Sequence, residues 1–133
     1  MLQTAAASRY KQVQNQTSSP GQILLALYNG IFRFLNAGKA AFQKGELARG
    51  REQLSKAQAI IHELEIALDH DASPDLCGNL QGLYQFSIDR IQKARFKGET
   101  CWIDEVVRVL EPLRDAWTTA VAELQKQQAS TKR

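Results

Sequence analysis

The residues able to do chemistry in this 133-residue chain are few and badly spaced for it. Two histidines occur, His62 and His70. Glu63 follows His62, but the run reads HELEI, so the paired imidazoles of the helical zinc motif H-E-x-x-H are missing. A di-iron bundle repeats Glu-x-x-His on two helices. Here Ala59 and Ala67 stand three residues before the two histidines, so both matches fail. A histidine phosphotransfer bundle would need an exposed, kinase-accessible His on its second helix. His62 meets that by position alone, and its plain reading is a partly exposed helical residue. His70, between Asp69 and Asp71, reads as a solvated turn residue. Cys77 and Cys101 have neither a neighbouring His nor a second Cys close by, so thiol redox chemistry has no partner group. The glycines of LYNG and NLQG are isolated, and no phosphate-cradling loop exists. Catalytic, cofactor-binding and metal-ligating residues are therefore all expected to be absent, and the chain is not expected to be an enzyme.

Four long helical segments supply the framework. Ser19 and Pro20 open the first, with Ser19 as N-cap, Pro20 as first helical residue and Gln22 completing a capping-box arrangement. It stops at Gly45, a residue suited to a left-handed C-terminal turn. The second runs from about Glu46 to Asp69, with Leu47, Leu54, Ala57, Ile61, Leu64 and Leu68 in one apolar stripe. Ser73 and Pro74 open the third, which carries Leu76, Leu80, Leu83, Tyr84, Ile88 and Ile91 and ends near Gly98. The fourth spans about Thr100 to Gln127 on the stripe Ile103, Val106, Leu110, Leu113, Trp117, Val121 and Leu124. Pro112 lies inside it, removes one backbone hydrogen bond and predicts a bend. Short connections make neighbouring helices antiparallel. The expected fold is thus all-α, an antiparallel up-down four-helix bundle about 33–42 Å long at 1.5 Å per residue. That topology puts Cys77 and Cys101 at opposite ends, out of disulfide reach.

Composition agrees with a single binding domain. Apolar residues make up 44%, enough for a core, and the 8 glycines and 3 prolines stand at punctuation points. The net charge of +3 equals that of the last eight residues, where Lys126, Lys132 and Arg133 face no acid. The body is balanced, so no basic stripe marks a nucleic-acid binder. The opening residues lack the apolar core of a secretory signal, and no run approaches the ~20 apolar residues of a membrane span. A cytoplasmic protein with reduced thiols is expected, without membrane insertion.

The first helix is too apolar for a simple bundle. Nine of the thirteen residues from Ile23 to Leu35 are aliphatic or aromatic. They cover roughly 200° of the helix, where a bundle stripe needs somewhat over 100°. Burial at the bundle centre, the N-terminal segment, a second copy or a client protein are the ways to cover the excess.

The segment from Tyr10 to Ala37 and the residues just after it carry an ordered set: Tyr10, Val13, Thr17, Ser19, Pro20, Ile23, Leu24, Leu27, Tyr28, Asn29, Gly30, Arg33, Phe34, Leu35 and Ala40. Further on stand KAQAIIHELEIALD on the second helix, NLQGLYQF on the third, and Leu113, Arg114 and Trp117 on the fourth. This pattern resembles the FliS family of flagellar secretion chaperones over about residues 10–124. Gly21, where the family often has Glu, Asn29, where Asp is common, and Pro112 are departures.

The resemblance implies a cytosolic bundle that binds the C-terminal segment of flagellin, prevents premature polymerisation and delivers the subunit to the flagellar type III export apparatus. It also implies an N-terminal lid that the client displaces. The expected organisation is a lid over 1–16, a bundle over 17–127 and a disordered basic tail over 128–133. Partner-binding residues expected on this basis are Tyr10, Val13, Leu27, Tyr28, Ile60, Leu64, Leu68, Asn79, Leu83 and Tyr84. Core packing is the competing reading for the apolar ones, and weak homodimerisation is a further expectation.

Overall fold

The computed structural model describes residues 19–131. The expected lid, with Tyr10 and Val13, lies outside the described residues. Four helices follow one another: α1 (Pro20–Gln43), α2 (Leu47–Ile66), α3 (Pro74–Lys97) and α4 (Cys101–Thr131). No strand occurs among the described residues.

The helix ends follow local chemistry. Ser19 Oγ accepts the Gln22 backbone N–H at 3.1 Å, which satisfies one of the orphan donors of α1. Gly45 and Gly98 end α1 and α3 at φ +79° and +66°, the left-handed region that glycine enters without a Cβ clash. Ser73 holds the N-cap position of α3 before Pro74, but its side chain makes no capping bond. The second helix stops at Ile66, three residues before the expected Asp69. Asp69 instead organises the turn: its Oδ1 and its carbonyl both accept the Ala72 N–H. At the other terminus α4 continues to Thr131, so residues 128–131, expected to begin a disordered tail, are helical. No Gly or Pro follows Pro112 to stop it.

The chain divides into two compact units. The larger, Asn29–Leu113, holds most of the core. Ile31 and Leu35 from α1, Leu54 and Ile61 from α2, Ile91 from α3, and Ile103, Val106 and Leu110 from α4 are fully buried. Each such aliphatic side chain contributes about 1.5–3 kcal/mol relative to exposure. Polar contacts fix the antiparallel order. Arg51 near the start of α2 bonds to Arg95 near the end of α3, while Glu65 near the end of α2 bonds to Gln85. Lys39 Nζ pairs with Asp104 Oδ1 at 2.7 Å, joining the end of α1 to the start of α4. The α1–α2 contact depends on missing side chains. A Cβ on Gly50 would stand 2.4 Å from two ring carbons of Phe42, and one on Gly38 would stand 2.9 Å from Leu54 Cδ2. Ser87, the one buried polar residue of this core among the described residues, donates its hydroxyl to the Leu83 carbonyl at 2.8 Å.

The smaller unit comprises the described residues 19–28 and 114–131. Here Gly21 lies against Val121: a Cβ would fall 2.8 Å from Val121 Cγ2. The branched side chain of Val121 thus takes the space that a longer residue at position 21 would need. Trp117 is half-buried, and its indole Nε1 is enclosed without an acceptor among the described residues.

Both cysteines are free, Cys77 buried and Cys101 exposed. Cys77 Sγ lies 3.2 Å from the Asp69 carbonyl. Three expected stripe positions are at the surface: Leu47 is 43%, Leu76 50% and Leu124 51% exposed, the first two within the first turn of their helices and the third near the end of α4.

Candidate functional site

The partner-binding residues expected from sequence fall into three groups. Tyr28, Leu64 and Tyr84 are buried, at 0%, 5% and 2% exposure, and serve the core. Leu27, Ile60, Leu68 and Leu83 are half-buried, and Asn79 is exposed. Gly30 leaves room for Ile60: a Cβ there would sit 3.2 Å from Ile60 Cδ1. Nearby on the same two helices, the Phe34 ring carries Arg33 at 5.2 Å and Lys56 at 5.7 Å from its centroid. That α1–α2 surface is closed over by long cationic stems.

The α2–α3 face differs. Phe96 (85%) and Leu47 are large exposed apolar side chains at its far end, and Ile66 (83%) is exposed at the end of α2 before the connecting turn. Between them runs a polar row. Gln85 Nε2 donates to Glu65 Oε1 at 3.2 Å, and Arg95 Nη1 donates to Gln58 Oε1 at 3.3 Å. Arg51 Nε donates to the Arg95 backbone carbonyl at 2.8 Å. That carbonyl belongs to the last turn of α3, where backbone acceptors lack helical partners and a cation is favoured. Arg51, Gln92, Arg95 and Phe96 line an open depression of about 470 Å³. His62, next to Gln58 on the exposed side of α2, has Nε2 3.5 Å from Gln58 Nε2.

The α3–α4 face is closed electrostatically. Arg90 lies over Phe86 at 4.4 Å and over Trp102 at 5.7 Å, and its Nε is 3.1 Å from Glu105 Oε2. Lys93 and Lys97 stand 5.3 and 5.0 Å from the Trp102 centroid, and Lys93 also pairs with Asp89 at 3.3 Å. The indole Nε1 donates to Glu99 Oε1 at 3.2 Å.

Among the described residues no group of three His, Cys, Asp or Glu is placed to hold a metal ion, and no helix is long and apolar enough to cross a membrane. The surface suits binding: exposed hydrophobes beside positioned hydrogen-bonding groups on a helical scaffold. Sequence reasoning missed Arg51, Gln92, Arg95 and Phe96. The usable signal was Phe96 itself, an isolated aromatic in the basic run ARFK.

Comparison with known proteins agrees with these features. A family model described as flagellar protein FliS matches residues 2–124. A flagellar secretion chaperone of Bacillus subtilis (strain 168) is 32% identical over 112 residues, covering 84% of this chain and 83% of the relative. One from Vibrio cholerae is 33% identical over 112 residues, covering 81% and 82%. A crystal structure of a bacterial flagellar chaperone aligns with a TM-score of 0.73 at 29% identity, over 91% of this chain and 98% of that one.

Proposed function

The chain belongs to the FliS family of flagellar secretion chaperones, and on that premise we propose that it binds the C-terminal segment of flagellin in the cytoplasm. Binding keeps the segment from polymerising and holds the subunit for the flagellar type III export apparatus. The role calls for binding energy and no chemical step.

The observation that carries this reading is the exposure of large apolar side chains, Leu47, Ile66, Leu76 and Phe96, on the packed pair α2 and α3. A client that folds on binding loses chain entropy, and burial of apolar side chains on both partners offsets that loss. Amphipathic helices laid in grooves use spaced apolar anchors, which matches exposed hydrophobes at the two ends of α2 and α3. The half-buried Ile60, Leu68 and Leu83 add apolar surface, and Asn79 adds an exposed amide. Leu64 and Tyr84 are buried and act from beneath, by fixing the backbone that presents these groups.

Co-purification with flagellin tests the reading. Full-length flagellin should be retained, and flagellin lacking its C-terminal segment should be lost. Equal retention of the truncated form would contradict it.

A further inference from the structure

The depression at the far end of the α2–α3 face has a chemistry that apolar contact does not use. Five cations of the larger unit sit against a carboxylate: Lys39 with Asp104, Arg49 with Glu46, Lys56 with Glu52, Arg90 with Glu105 and Lys93 with Asp89. Arg51 and Arg95 do not. Their hydrogen bonds go to neutral acceptors, a backbone carbonyl and the Gln58 amide, and neither meets a carboxylate among the described residues. Arg95 Nε is enclosed and unbonded as well. Two cations that line one depression repel each other unless an anion joins them. The bonds they make hold their forks in place, so donors remain for an incoming acceptor at little ordering cost.

We propose that Arg51 and Arg95 form a carboxylate-binding subsite for the client, which seats an acidic side chain on the two guanidinium groups and an adjacent apolar side chain on Phe96. This rests on the client reading above. Charge complementarity selects the occupant: a planar carboxylate matches a guanidinium fork, and the Phe96 ring beside it favours an apolar neighbour. Gln92, on the same rim, supplies an amide that can bond to the client backbone. A segment with an acid next to an aliphatic or aromatic residue would thus be read at this end of the face, with its register fixed by charge.

The test measures binding of a fluorescently labelled flagellin C-terminal segment to the full chain at roughly 0.05 M and 0.5 M salt, a range over which exposed charge pairs are increasingly screened. R51Q/R95Q should weaken binding about tenfold at low salt and flatten the salt dependence, as expected for loss of charge-assisted hydrogen bonds. R51K/R95K should keep the salt dependence and recover part of the affinity. R108Q, which removes an exposed cation elsewhere, should leave the affinity within about twofold. Arg51 also bonds to the end of α3, so melting curves are recorded alongside. If the double variant fails to fold, F96S, which removes an exposed ring, gives the reading with an expected several-fold loss.

Wild-type affinity and salt slope in R51Q/R95Q, or unchanged affinity in F96S, would overturn the proposal while leaving the client reading intact. A wild-type chain that fails to bind the segment at all would overturn both. Altered self-association of R51Q/R95Q with unchanged client affinity would also overturn it and assign the face to a second copy of the chain.

Discussion

Helix α3 presents two surfaces built from similar residues and finished in opposite ways. Toward α4, Arg90 is stacked on Phe86 and Trp102 and paired with Glu105, and Lys93 and Lys97 cover the same indole. Toward α2, Arg51 and Arg95 bond only to neutral groups, and Phe96 stands in the open. The first surface sets Arg90 and Lys93 against carboxylates of the same chain and covers its rings, although Arg90 Nε and Glu105 Oε2 make no hydrogen bond, so its interactions count toward stability. The second leaves both donors and a ring unspent, so its interactions count toward a partner. The lesson is that an aromatic residue among cations does not identify a binding site. What distinguishes the two faces is whether carboxylates of the same chain already complete the set.

Substitutions can break or sharpen that contrast. The largest effect is expected at Ile91, which is fully buried in α3. Ile91→Ala should cost about 2–4 kcal/mol in urea unfolding and lower the affinity of any client through loss of folded chain. Next comes Arg90→Ala, which removes two ring contacts and the Glu105 pair from a side chain only 23% exposed. A loss of about 1–2 kcal/mol in thermal or urea unfolding is expected, with client affinity unchanged. An unmoved melt together with weakened client binding would reverse the roles assigned to the two faces. The smallest effect is expected at His62. Exposed on α2 beside Gln58, it should tolerate replacement by Gln within about 0.5 kcal/mol and without loss of export. Loss of motility with normal folding in that variant would point instead to phosphotransfer chemistry.

The framework was legible in sequence because its boundaries are set by single residues with strong local preferences. Ser19, Pro20, Gly45, Pro74 and Gly98 each stand where the structure starts or ends a helix. The early end of α2 was not legible: Ala67 and Leu68 are good helix formers, and the competing turn depends on Asp69 bonding to Ala72. The stripe rule found Leu54, Ala57, Ile61 and Leu64 but misplaced Leu47, Leu76 and Leu124. A residue at a helix end keeps its phase after the neighbouring helix has ceased to cover it.

The candidate site was less readable. Family likeness directed attention to Tyr28 and Tyr84, yet both are buried in the core. A wide apolar arc on a helix does not separate the residues that pack from those that await a partner. Arg51 and Arg95 were invisible for a different reason. They meet across 44 positions of sequence and line one depression, a juxtaposition that no local pattern encodes.

The most direct test of the account is an NMR titration of the full chain with the flagellin C-terminal segment. The account predicts the largest shift changes at the side-chain amides of Gln58 and Gln92 and at the Phe96 ring, with the Trp102 indole N–H nearly still. Changes concentrated at Trp102, Lys93 and Lys97, with the α2–α3 amides unmoved, would contradict it.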